Sequence, residues 1–295
     1  MKITFWGVRG SLPSPGTGTV RYGGNTTCIS VETDDGQLIV LDAGTGIYKL
    51  SQALLGRLPV SCSLFITHTH WDHIQGLPFF IPLFIPGNRI QIYGAFDPIS
   101  GKSIKDVLSG QMEYCYFPVR QDELRAEIHY MTLHEKQTVE IGQAKVTTIL
   151  MNHPVLNFGY KIECGGKSVF FTGDNEPLYN IYSPGDDFHQ EYGSLISSKD
   201  ATLLDFIHGI DVLIADSAFT ADEYPAKKGW GHGTFDSCIA MARKAGANKL
   251  YFTHHEPLRR DEDLDAIERR LREHYPAGEG MPSFTIAYEG LEILL

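Results

Sequence analysis

Residues 67–76 read T-H-T-H-W-D-H-I-Q-G, which puts His68, His70, Asp72 and His73 within six positions, directly after the apolar run Ser63-Leu64-Phe65-Ile66. Imidazoles crowded this densely are costly to bury unless something pairs with them, so packing does not account for the cluster. A metal ion is the partner that the pattern requires. Side chains alternate with period two in an extended segment, so His68 and His70 point the same way, while Asp72 and His73 are expected on a turn just beyond. One short segment can then serve two neighbouring ions.

The arrangement recurs along the chain. T-I-L-M-N leads to His153, V-F-F-T-G to Asp174, V-L-I-A to Asp216 and K-L-Y-F-T to His254. With the first cluster, five short apolar strands end in a ligand or an acid/base group. Loops at the ends of strands on a rigid sheet are where such groups concentrate, so these ends are expected to converge on one site. His68, His70, His153 and Asp174 would then hold one ion and Asp72, His73 and His254 a second, with Asp174 as the bridge. Mixed imidazole and carboxylate ligation suits zinc, manganese or iron, and two divalent ions, zinc foremost, are the expected cofactors.

The remaining sequence is that of an α/β protein. Strands are predicted at 3–6, 26–33, 37–41, 63–66, 90–93, 127–132, 144–151, 158–163, 168–172, 211–215, 249–253 and 284–288. Helices are predicted at 47–55, 102–113, 201–208, 235–245 and 263–274, where apolar residues recur at three- and four-residue spacing. No repeat or linker divides the 295 residues, so a single domain spanning 1–295 is expected. A formal charge of −11 disfavours extended nucleic acid as a partner. The five cysteines are scattered and never form C-x-x-C, which fits a reducing cytosol. Arg9 interrupts the N-terminus before a signal-peptide core can form, so a cytoplasmic location is expected. The run L-P-F-F-I-P-L-F-I-P at 77–86 is about half of a bilayer span and broken by prolines, so it reads as core or a subunit contact, which leaves a homodimer open.

His68-x-His70-x-Asp72-His73, followed by His153, Asp174 and His254, resembles the metallo-β-lactamase superfamily over nearly the whole chain. The resemblance implies a four-layer αββα sandwich with a binuclear site at one edge between two sheets. Residues 211–254, with D-V-L-I-A-D-S-A-F and W-G-H-G-T-F-D-S, are similar to its phosphodiesterase branch, which includes tRNase Z and the cyclic-phosphate and cyclic-nucleotide phosphodiesterases. That similarity implies a catalytic dyad in which Asp216 orients His232, although tRNase Z usually carries glutamate at the acid position. The separation of 21 positions from His153 to Asp174 leaves room for a hairpin but not for the tRNA-gripping arm of tRNase Z. The extra length falls instead at about 175–210, an aromatic, acidic insertion that reads as a lid, a pocket wall or a dimer contact.

The function expected from these residues is hydrolysis of a small phosphodiester, such as a cyclic nucleotide or cyclic phosphate. Two cations about 3.5–4 Å apart can hold a hydroxide between them as the nucleophile. His232, held by Asp216, would protonate the leaving alkoxide, and Asp72 would orient the nucleophile while ligating. Asp42, in V-L-D-A-G-T-G, either caps a turn or braces a ligand. His255 should face away from His254, and Arg9, Arg21, Lys227 and Lys228 are candidates to steer a phosphate or are simply solvated. The alternatives are an RNA-processing endonuclease, a thioester or lactone hydrolase on the same scaffold, and a module that binds its ligand without cutting it.

Overall fold

A computed structural model describes residues 1–295. The first sheet holds β1 (Lys2–Gly7), β2 (Cys28–Glu32), β3 (Leu38–Leu41), β4 (Ser61–Phe65), β5 (Arg89–Ala95) and β6 (Glu127–Leu133). The second holds β7 (Thr138–Ile141), β8 (Ala144–Met151), β9 (Asn157–Cys164), β10 (Lys167–Phe171), β11 (Val212–Asp216), β12 (Lys249–Thr253) and β13 (Ser283–Ile286). A last strand, β14 (Glu292–Leu294), returns to the first sheet beside β1. The orders are β14-β1-β2-β3-β4-β5-β6 and β13-β12-β11-β10-β9-β8-β7, so the chain leaves the first sheet for the second once, between β6 and β7.

The helices are α1 (Ile47–Leu54), α2 (Trp71–Ile74), α3 (Ile104–Gly110), α4 (His189–Phe206), α5 (Phe235–Ala245) and α6 (Asp261–His274). Three separate hydrophobic clusters, of 24, 21 and 18 buried residues, lie where four stacked layers require them. The largest fills the space between the sheets, where Phe65 stacks on Tyr93 at 4.4 Å and meets Tyr160 edge-on at 5.3 Å. Each such fully buried aromatic contributes on the order of 1.5–3 kcal/mol. The other two clusters seat α5 and α6 on the second sheet and α1 and α3 on the first. Alternation explains the sharing: in β4, Leu64 faces the outer cluster and Phe65 the inner one. The fold is the expected αββα sandwich, and no helix is long and apolar enough to cross a membrane.

Several expectations need correction. The helix predicted at 201–208 is the end of the 18-residue α4, which begins at His189 and buries no side chain completely. Its sequence lacks the apolar stripe that marks a helix lying on a core. The helix predicted at 102–113 is confined to Ile104–Gly110, started by a Ser103/Asp106 capping box. The turn expected after His70 is the short helix α2. The short strands β7 and β14 lie outside the predicted set. Arg9 is not a phosphate-steering group: it is wholly buried, and its guanidinium donates to the carbonyls of Gly23 at 2.7 Å and Arg259 at 2.6 Å. Arg21 is engaged by Asp265 at 2.5 Å.

Candidate metal centre

Strand ends from both sheets meet at one edge of the sandwich. β4 delivers residues 66–70 to the edge, and α2 carries Asp72 and His73 in its single turn. From the second sheet, β8 leads to His153, β10 to Asp174, β11 ends in Asp216 and β12 leads to His254. Asp174 lies centrally: its Oδ1 is 3.2 Å from Nε2 of both His73 and His254, and its Oδ2 is 3.5 Å from His68 Nε2 and 3.8 Å from His153 Nε2.

Two four-residue groups, His68/His70/His153/Asp174 and Asp72/His73/Asp174/His254, each keep one potential ligand atom per residue within 4.8 Å of the others. Each group takes two side chains from each sheet, and Asp174 is common to both. These are the two sets expected from the sequence. His68 Nε2, His73 Nε2 and Asp174 Oδ1 are buried without a hydrogen-bond partner, although buried polar atoms are ordinarily satisfied. Such convergent, unpartnered nitrogen and oxygen atoms fit divalent cations.

The electrostatics agree with that fit. Burial, their largest influence, holds His68, His70 and His153 below the ordinary imidazole range, which keeps their lone pairs free. Burial opposes ionisation of Asp72 and Asp174 as well, but the surrounding imidazoles outweigh it and both carboxyls sit below their usual range. His73 and His254, drawn down by burial, are raised by Asp174 and its acidic neighbours. The protons they hold are the ones a cation displaces.

Neighbouring groups fix each ring. Asp42 accepts from His73 Nδ1 at 2.8 Å and from Thr67 N at 2.7 Å, which turns His73 Nε2 toward Asp174. These contacts reach Thr67 and His73, 25 and 31 residues away, and none is to the turn that Asp42 itself begins. The Gly231 carbonyl accepts from His153 Nδ1 at 2.9 Å. The backbone of Ser11 donates to Asp72 Oδ2 at 2.7 Å. Asp42 and His254 have φ of 61° and 62°, a strained left-handed conformation for non-glycine residues of the kind that clusters at functional sites. At Gly10 a Cβ would come within 2.2 Å of the His254 ring, so only glycine lets that loop pass. His255 points elsewhere, its Nε2 donating to the Ala287 carbonyl at 2.8 Å.

A third group, Asp174/Asp216/His232/His254, is also close enough to chelate, but Asp216 is already committed. Its Oδ2 accepts from His232 Nδ1 at 2.9 Å and from Asn175 N at 3.0 Å, and its Oδ1 from Ala218 N at 3.2 Å. Burial lowers the pKa of His232, yet Asp216, aided by Asp174 and Asp72, overcomes this and pushes it up to about 9. The Thr234/Ser237 capping box starts α5 two residues later and so fixes the backbone that carries this ring. His232 lines an open cavity of about 490 Å³ with Ser11, Thr69, His70, Trp71, Asp72 and Asp174. Trp71, its only apolar wall, is 81% exposed. Beyond His153, residues 175–178, 198–200 and 202–204 help to wall a cavity of about 770 Å³.

The profile of the Beta-lactamase superfamily domain matches residues 37–255. The chain belongs to the beta-lactamase superfamily. Ribonuclease Z of Thermoplasma volcanium is 25% identical over 284 residues, covering 87% of this chain and 88% of that protein. Among solved structures of the superfamily's fold, the metallo-β-lactamase fold protein YhfI of Bacillus subtilis aligns over 99% of this chain and 98% of its own, with TM-score 0.68 and 18% identity. A diphosphatase of the PhnP family aligns over 100% and 97%, with TM-score 0.65 and 21% identity.

Sequence reasoning gathers the histidines and aspartates of this superfamily site but misses Ser11, Thr67, Glu176 and the Gly231 carbonyl. Three of these act through the backbone or through a side chain shared with it, and residue type alone does not mark them. Glu176 lies in the motif F-F-T-G-D-N-E-P, two positions after Asp174, and that proximity is the available signal.

Proposed function

We propose that this protein is a phosphodiesterase for small phosphodiesters, cyclic nucleotides and cyclic phosphates among them, with residues 1–295 acting as one catalytic unit. The observation that carries this reading is the pair of His/Asp groups sharing Asp174, with the Asp216–His232 pair opening onto the same cavity. The relative named ribonuclease Z supports cleavage at phosphorus.

As a metal-dependent phosphodiester hydrolase, the chain would hold one ion with His68, His70, His153 and Asp174, and a second with Asp72, His73, Asp174 and His254. Zinc suits these donors, as do manganese and iron. Two bound ions supply Lewis acidity toward a phosphoryl oxygen and bring the ionisation of water into the neutral range. The remaining work falls to the protein. Asp42 keeps His73, and the Gly231 carbonyl keeps His153, in one tautomer and one orientation. Asp72, besides ligating, orients the attacking water. His232, held through Nδ1 by Asp216 and protonated at neutral pH, gives its proton to the leaving alkoxide. Trp71 offers a flat apolar face at the cavity mouth for the base or ring of the substrate.

The test is turnover of bis(p-nitrophenyl) phosphate and of 2′,3′-cyclic nucleotides by protein loaded with zinc, manganese or iron. Turnover of 2′,3′-cyclic nucleotides, whose alkoxide leaving group needs a proton, that His232→Ala reduces supports the reading; no turnover of either ester with any of the three metals overturns it. Turnover of thioesters or lactones that His232→Ala leaves unchanged would place the activity elsewhere on the scaffold.

A second reading, an RNA endonuclease, is favoured by the ribonuclease Z relative. Against it stand the net charge of −11 and the tight Gly165-Gly166 turn that closes the β9–β10 hairpin, where no arm projects. Salt-dependent binding of tRNA, with the affinity falling as counterions are added, would favour this second reading.

A further inference from the structure

We infer that Glu176 is a positioning residue that closes a ring of bonds around His153 and sets both this metal ligand and His232. The inference rests on the metal-centre reading above. Glu176 is 3% exposed, and burying a carboxylate is costly unless its oxygens are satisfied. No lysine or arginine lies against it. Its oxygens are satisfied entirely by one loop: Oε1 accepts from Tyr224 Oη at 2.7 Å and Gly229 N at 2.8 Å, and Oε2 from Gly231 N at 2.9 Å.

The backbone of the same residue is tied to the other side of His153. Glu176 N donates to the Asn152 carbonyl at 2.9 Å, and Asn152 Nδ2 donates to the Glu176 carbonyl at 2.9 Å. Asn152 directly precedes His153, and Gly231 is the residue whose carbonyl accepts from His153 Nδ1. Glu176 therefore grips the chain on both flanks of this ligand. Gly231 sits at φ 89°, and a Cβ there would come within 2.4 Å of His153 Nδ1, so the loop passes over the ring with no space to spare. The next residue is His232. A shift of the loop would release the Nδ1 partner of His153 and move His232 in the same motion.

The loop offers Glu176 three donors and no cation, so geometry and not charge neutralisation holds it in place. Glu176→Gln keeps the shape but sets an NH₂ group against an N–H, which breaks at least one of the bonds to Gly229 and Gly231. Tyr224→Phe removes the third donor and leaves both backbone bonds intact.

The experiment compares wild type, Glu176→Gln and Tyr224→Phe by zinc affinity in competition with a chromophoric chelator, and by kcat and KM on bis(p-nitrophenyl) phosphate. In Glu176→Gln the affinity for one of the two zincs, the one His153 would help to hold, should fall about 10- to 100-fold, and kcat should fall with KM within about threefold. Tyr224→Phe should stay within about twofold of wild type in both. A folded Glu176→Gln protein with wild-type zinc affinity overturns the inference. Should that variant fail to fold, hydrogen exchange on wild type decides: the Gly229 and Gly231 amides should be as protected as those of β11, and rapid exchange overturns the inference. If wild type binds zinc but cuts no phosphodiester, the functional reading fails while the zinc arm still tests Glu176.

Discussion

Asp174 reaches five imidazoles, those of His68, His73, His153, His232 and His254, at distances of 3.2–3.8 Å. One carboxylate thus couples the two metal groups to the Asp216–His232 pair. The roles of the last two separate in the pH profile. An imidazolium with a pKa of about 9 stays protonated through neutrality, so a rate that needs its proton is flat below that value and falls above it. Asp216→Asn removes the anion that raises His232, so the alkaline limb of kcat/KM should move to lower pH. His232→Ala should cost about 100- to 10,000-fold in kcat and abolish that limb. Trp71→Ala should raise KM for a cyclic nucleotide about 5- to 100-fold, as expected for the loss of one base–aromatic stack, and leave dimethyl phosphate hydrolysis within about twofold. Steady-state kinetics on both esters check it. At this scale the sequence is informative wherever chemistry is tied to side-chain type. It is silent where a backbone group does the work, as with Ser11 N on Asp72 or Gly231 O on His153, because no residue type announces a carbonyl.

Elements are legible in proportion to how strongly each one's own residues specify it. The central strands β3, β4, β10, β11 and β12 are short apolar runs bounded by turn signals, and each is readable from its own residues. β14 has three residues and exists through its pairing with β1, Ile3 opposite Ile293, a long-range fact that no local pattern contains. α4 escapes for a different reason. It presents no apolar stripe and buries none of its side chains fully, so nothing in H-Q-E-Y-G-S-L-I-S-S-K-D reports its first three turns. Propensity and length, with only half-buried Leu203, Leu204 and Phe206 leaning on the second sheet's outer cluster, must sustain it. Amides of residues 193–201 should therefore exchange at least about tenfold faster than those of α5, whose Phe235, Cys238, Ile239 and Ala242 are buried. Hydrogen-exchange mass spectrometry with pepsin fragments reads this directly.

The molecule as a whole carries a pH dependence distinct from that of catalysis. His255 is fully buried, and burial, assisted by the charge of Arg9, pushes its pKa down to about 3 from an ordinary 6.5. The unfolded chain therefore binds a proton that the folded chain refuses. This contribution to stability is complete above pH 6.5 and is lost as pH falls from there toward 3, at about 1.4 kcal/mol per pH unit. His255→Gln, which retains a donor for the Ala287 carbonyl, should reduce the slope of unfolding free energy between pH 6.5 and 5 by one proton. Urea titrations of both proteins across that range measure the difference. The convergence of the strand ends on one site is readable from their recurrence and the sandwich from the family resemblance those residues carry, whereas the division of labour between its sheets emerges only in three dimensions.

That division reaches further. Because the polypeptide leaves the first sheet for the second once, near residues 134–137, a nick there would yield two pieces that each own half of both metal-binding sets. Neither piece alone could retain a cation tightly, but together they could. If these sets hold ions as proposed, metal would tighten the reassembly of a severed chain and a chelator would loosen it, on top of the apolar cluster and the β14–β1 pairing that join the two pieces without metal.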